Sequence, residues 1–191
     1  MNDRGVVVVV GSPSAVLGAG GAYEAVGLGV RVATELVRRG EQVELVGRVG
    51  ADAAGDQSVL SLALRGIGHV ALLRDPSLQT PISGGDRGAP VDAGDVQLAL
   101  RYLADYSSVL LIDPLDDTVV RQASEDAASV GAALIVVTNG PSLDAEATTL
   151  PATGTDTPPP LFVPRPEVEE AEFVALLAGL AAGERGARTE A

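Results

Sequence analysis

The chain has 191 residues, 46% of them hydrophobic, and a mean hydropathy of +0.26. That fits one folded domain with a sizeable core and excludes a disordered polymer. A formal charge of −13 argues against nucleic acid or an anionic membrane as partner, and the absence of cysteine rules out disulfides and thiolate metal sites. Aromatic content is 3% with no tryptophan, so the core must be built from Val, Leu, Ala and Ile. Such residues suit a mostly parallel sheet covered by helices.

Taken in order, Met1 to Gly5 is polar, and Val6 to Val10 is a β-branched run that reads as a buried strand. That run is too short for a signal core or a membrane span, so a cytoplasmic protein is expected. Gly11-Ser-Pro-Ser14 ends the strand. Gly18-x-Gly20-Gly21 superficially suggests a dinucleotide loop, but the third Gly is misplaced and the run does not follow the strand directly, so it reads as a linker. Val26, Val30, Ala33 and Val37 recur at helical spacing, and Gly40 follows Arg38 and Arg39 as a helix-ending glycine.

Val43, Leu45 and Val46 form the next predicted strand, and Val59 to Leu64 a helix closed by Gly66. A strand over Val70 to Leu73 and a loop from Asp75 to Pro81 follow, then a turn-rich stretch from Ile82 to Pro90. Asp92 or Asp95 is placed to cap a helix carried by Val96, Leu98, Leu100 and Leu103. Val109 to Ile112 is a buried strand ending at Asp113-Pro114. Pro114 to Val130 is a helix that starts with acids and ends at Gly131, and Ala133 to Val137 is a further strand. Leu143 to Pro160 is Thr/Pro/Ala/Asp-rich and is expected to be a mobile loop. A short strand over Leu161 to Val163, a helix through Phe173, Leu176, Leu177 and Leu180, and a polar tail from residue 184 complete the chain. Alternating strands and helices with short connections predict a single three-layer α/β/α, Rossmann-like domain over 1–183.

The run from Val26 to Gly55 resembles the first signature region of the ribokinase/PfkB family of carbohydrate kinases. In that family a G-G-x-G-x-N-x-A turn opens a helix, and a strand then leads to G-D-D-x-x-G. Val26-Gly27-Leu28-Gly29-Val30-Arg31-Val32-Ala33 lies in register with the first motif and Gly50-Ala51-Asp52-Ala53-Ala54-Gly55 with the second, with no gap between them. Pro166-Glu-Val-Glu-Glu-Ala171 resembles a further P-N-x-x-E-A motif. The match departs at the groups that touch sugar in the family and at its first Gly. Arg31 replaces a substrate-binding Asn, Val26 replaces the first Gly, and no carboxylate stands near Val16, where the family has a sugar-binding Asp. Only Leu17 to Glu24 occupies the place of the family's β-sheet lid, too short a stretch to form one. The family's second half, with the nucleotide site and a D-T-x-G-A-G-D motif bearing the general base, has no counterpart, and there is no P-loop.

The resemblance therefore implies a ribokinase-like fold whose phosphate-moving groups are gone. The first expectation is a binding, regulatory or remnant protein that needs no cofactor on this chain alone. One alternative is a sugar or nucleoside kinase, using ATP and Mg²⁺, completed by a partner chain. Another is an unrelated Rossmann-type nucleotide binder.

Candidate substrate-binding residues are Gly27, Gly29, Arg31, Asp52 and Asp113, facing a small sugar-like or nucleoside-like ligand. Each has a plainer reading: close helix–strand packing for the glycines, a solvated helix residue for Arg31, turn chemistry for Asp52, a helix cap for Asp113. His69, the only histidine, has no visible Ser or Asp partner, and the acids Glu167, Glu169, Glu170 and Glu172 read as a solvated helix turn rather than a cation site. Half of a long sheet would leave an open edge, so a symmetric homodimer is expected.

Overall fold

The computed structural model describes residues 5–82, 89–103, 105–112, 116–139, 159–166 and 171–183. The elements in chain order are β1 (Val6–Val10), β2 (Ser14–Leu17), β3 (Tyr23–Val26), α1 (Leu28–Arg38), β4 (Val43–Gly50), α2 (Ala53–Leu64), β5 (Leu72–Asp75), α3 (Ala93–Leu103), β6 (Tyr106–Leu111), α4 (Asp117–Val130), β7 (Ala133–Asn139), β8 (Leu161–Arg165) and α5 (Ala171–Ala181).

Six strands make one sheet in the order β5-β4-β1-β6-β7-β8, and every pairing in it is parallel. Counting only these six strands along the chain, the order is 3-2-1-4-5-6, that of a doubly wound dinucleotide fold. β1 lies at the centre and divides the core. Val7 and Val9 pack with Leu28, Leu36 and Leu62 of α1 and α2 and with Leu177 of α5. Val8 and Val10 pack on the other face with Val96 and Leu100 of α3 and Val119 and Ala123 of α4. The result is the expected three-layer α/β/α sandwich, its core carried by aliphatic residues.

The helix ends follow from local chemistry. Asp52 caps α2 by accepting from Gly55 N, and Asp116 caps α4 by accepting from the Thr118 and Val119 amides. Gly131 closes α4 in the left-handed region. At α3 the two candidate caps act together: Asp95 N donates to Asp92 Oδ1 at 2.9 Å and Asp92 N to Asp95 Oδ2 at 3.1 Å, a reciprocal capping box.

Several expectations are corrected. β4 runs on through Gly47 to Gly50, α2 starts at Ala53 rather than Val59, and β5 lies two residues later than predicted. The stretch read as a linker is a structured antiparallel hairpin, with Leu17 paired to Tyr23 and Ser14 to Val26. Gly18 N closes its turn on Ala22 O at 2.8 Å, and Gly21 supplies a left-handed residue. A two-stranded sheet thus stands where the resemblance predicted no lid at all. Most of the 143–160 segment, the tail from 184 and the Glu167, Glu169 and Glu170 cluster lie outside the described residues.

Candidate functional site

In an open α/β sheet, ligands bind beyond the carboxyl ends of the strands, where the winding reverses. Here that point lies between β1 and β6. It is approached by the Gly11–Ser14 turn after β1, the start of α1, the end of β4 and the Thr80 segment.

The backbones meet closely there. A Cβ on Gly47 would lie 2.8 Å from Ser12 Cα, so only glycine lets β4 rest against the turn after β1. Arg48 N donates to Ser12 Oγ at 2.8 Å, and Gly11 N to Val46 O at 2.8 Å. Gly27 is the N-cap of α1, with φ 124° and ψ 167° and no side-chain cap. Gly29 is buried against the end of β1, where an added Cβ would stand 3.6 Å from Gly11 O, an ordinary contact. Gly27 and Gly29 therefore lie at the start of α1, near the carboxyl end of β1. Arg31 is exposed one turn into α1, its amide donating to Gly27 O at 3.0 Å.

Asp52 serves the fold. Its Oδ1 accepts from Gly55 N at 2.7 Å and from Thr80 Oγ1 at 2.8 Å, and its Oδ2 accepts from Thr80 N at 2.8 Å. Thr80 Oγ1 in turn accepts from Gly50 N at 2.9 Å. Burial pushes the Asp52 carboxyl up, but these donors outweigh it and hold the group below the usual aspartate range. Asp113 lies outside the described residues.

A second knot crosses the same end of the sheet. Arg48 pairs with Asp95 at 2.6 Å and Asp92 at 2.7 Å, tying β4 to the start of α3. Asp75, at the end of β5, accepts from Ser77 Oγ at 2.6 Å and Ser77 N at 2.8 Å, bonds that lower its pKa. Three helices thus begin at carboxylates: α2 at Asp52, α3 at Asp92 and Asp95, and α4 at Asp116. Glu44, whose carboxyl is pushed up by burial, lies at the opposite end of β4. Its Oε2 accepts from Val70 N at 3.3 Å beside His69, whose Nδ1 lies 3.3 Å from Ile67 O. Among the described residues, no group of three His, Cys, Asp or Glu side chains could hold a metal ion. No helix among them is long and apolar enough to cross a membrane.

Sequence reasoning missed Ser12, Arg48 and Thr80. Each acts through a partner 28 to 44 residues away, so no local pattern announces it.

No protein-family model and no curated protein matches the sequence. Solved structures do match its fold. A fructokinase with bound ATP from Xylella fastidiosa superposes with TM-score 0.56 at 18% identity, covering 72% of this chain and 53% of that one. A PfkB protein from Polaromonas sp. JS666 gives 0.55 at 16%, with 72% and 56% covered. A carbohydrate kinase from Agrobacterium tumefaciens gives 0.53 at 16%, with 71% and 54% covered. The chain spans little more than half the length of these structures. Over most of its described length, then, this protein has the three-layer fold of the PfkB/ribokinase-type carbohydrate kinases, in an extent that matches about half of such a kinase.

Proposed function

We propose that the chain is a carbohydrate-kinase relative that does not transfer phosphate by itself and acts as a binding or regulatory domain. The observation that carries this reading is the set of carboxylates at the helix starts. A helix N-terminus attracts phosphate through its free N–H groups and its dipole. At α2, α3 and α4 an aspartate already accepts those N–H groups and would repel a phosphate. Asp52 and Asp75 are held low in pKa by their own donors, which unfits them as general bases near neutral pH. The test is ATP- and Mg²⁺-dependent phosphorylation of a sugar and nucleoside panel by the purified chain. No turnover is expected, and turnover of any member would overturn the reading.

In a second reading this chain, which spans little more than half the length of each matched kinase, works with the other half. A partner chain supplying that half, with its ATP and Mg²⁺ site, would make a two-chain kinase. Co-purification of such a chain, with activity only in the mixture, supports it. A third reading rests on the 3-2-1-4-5-6 strand order, shared with dinucleotide binders. A thermal shift with NAD separates it from the first, and no shift with NAD, ATP or adenosine counts against nucleotide binding.

The assembly we propose is a symmetric homodimer. Val70, Leu98 and Tyr102 are exposed beside the β5 end of the sheet, around a mostly apolar groove of about 180 Å³. At the opposite end, Pro164 in β8 removes a ladder donor and blunts that edge. Light scattering at micromolar concentration should give twice the chain mass.

A further inference from the structure

The β2–β3 hairpin has only two strands, and each outer edge should be a row of unpaired backbone groups. In the antiparallel register Leu17 faces Tyr23 and Ala15 faces Ala25. Along β3, the outward groups Tyr23 N, Ala25 N and Ala25 O find partners on α2. Tyr23 N donates to Gln57 Oε1 at 2.6 Å, Ala25 N to Ser61 Oγ at 3.3 Å, and Arg65 Nη1 donates to Ala25 O at 3.0 Å. Arg65 Nη2 also pairs with Glu24 at 3.3 Å.

Gln57, Ser61 and Arg65 are spaced by four and lie on one stripe of the helix. Four helical residues rise about 6 Å, and two strand residues about 6.7 Å. The two repeats nearly match, so side chains on a helix stripe can meet successive outward groups of a strand. On the other edge Ala15 is held by backbone: Ala15 N donates to Pro81 O at 2.7 Å, and Ala15 bridges to Ile82.

We propose that the Gln57–Ser61–Arg65 stripe acts as a surrogate strand that locks the hairpin in one position. The hairpin is then a fixed wall of the molecule, sealed along β3 against strand addition by a second chain, and does not open and close. This holds whether or not the protein binds a sugar. Helix stability alone would also protect β3, so the test must separate the two.

Amide hydrogen exchange on the intact chain does so. The Tyr23 and Ala25 amides are expected to be protected as well as the rest of the hairpin. Gln57→Ala should lower Tyr23 protection roughly tenfold, the upper range for one net hydrogen bond. Gln57→Glu, which keeps the accepting oxygen, should restore it, and Ser61→Ala should act at Ala25. Free exchange at Tyr23 and Ala25 in the unaltered protein overturns the proposal. So does a Gln57→Glu variant that behaves like Gln57→Ala, or a loss spread evenly along α2 rather than falling at Tyr23.

Discussion

Replacing Asp52 by alanine separates a folding role from a binding one. The change removes the α2 cap, costing about 1 kcal/mol, the usual value for an aspartate N-cap. It also removes two bonds from Thr80, one from its amide and one from its hydroxyl. Hydrogen bonds to a charged acceptor contribute about 1.5–3 kcal/mol each; because Asp52 is partly exposed and screened, about half the low end is taken for each, or about 1.5 kcal/mol for the two. The sum is about 2.5 kcal/mol, or a Tm loss of about 5–10 °C for a chain of this size. Because the folded pKa is depressed, the stabilisation is complete above the unfolded aspartate value of about 3.9 and is lost as pH falls through the folded value. The gap between the two proteins in urea melts followed by circular dichroism should therefore be constant near neutral pH and narrow below about pH 4. The Asp52→Asn variant should fall between them, since its amide oxygen still accepts from Gly55 N without the charge. A gap under about 0.5 kcal/mol near neutral pH, the usual spread of surface substitutions, or one that ignores pH, would refute the reasoning.

The glycines divide sharply. Gly29→Ala should be neutral or stabilising by up to about 1 kcal/mol in thermal melts, since its Cβ has room and alanine favours a helix. Gly55→Ala should destabilise by more than about 2 kcal/mol, because its Cβ would fall on Gly50 O. Gly27→Ala should cost about 1–3 kcal/mol, the strain of a side chain at φ 124°. Arg48→Met should loosen α3 from β4, seen as faster amide exchange in the first turn of α3, with Asp92 and Asp95 left without their cation. Glu35 is held down to about 2 by hydrogen bonds from Arg38 and Arg39. Its contribution is present above about pH 4 and lost only as pH falls through that low value. Since the pairs lie on the surface, Glu35→Gln should lower Tm by about 2 °C or less, and added salt should erase the difference.

What was legible in the sequence was whatever repeats locally. The valine run of β1, the helical spacing of Val30, Ala33 and Val37, and Gly131 after α4 each declare themselves within a few residues. The β2–β3 hairpin did not. Its strands have four residues each, and Ser14, Ala15 and Ala25 are small buried residues rather than bulky β-formers. Its outer edges are satisfied by Gln57, Ser61 and Pro81, far along the chain. α2 also misled, because Leu60 and Leu64 suggest a core stripe yet are 59% and 80% exposed. Among the candidate residues, the role of Asp52 depended on Thr80, which no pattern near Asp52 could reveal.

The five identical residues of β1 carry no vernier. Sliding a polyvaline segment by one position exchanges its two faces without changing what either presents, so hydrophobicity cannot choose the alignment. The choice falls to the ends. A Cβ at Gly5 would lie 2.9 Å from Ser107 N, where the β1–β6 register skips a residue, and Gly47 admits nothing larger beside Ser12. Moving β1 one step along would bring the branched side chain of Val6 to the place where only Gly5 fits. In this molecule the alignment of the central strand is written in the glycines that flank it and its neighbour, and substituting them should scramble the pairing of a segment they never touch through a side chain.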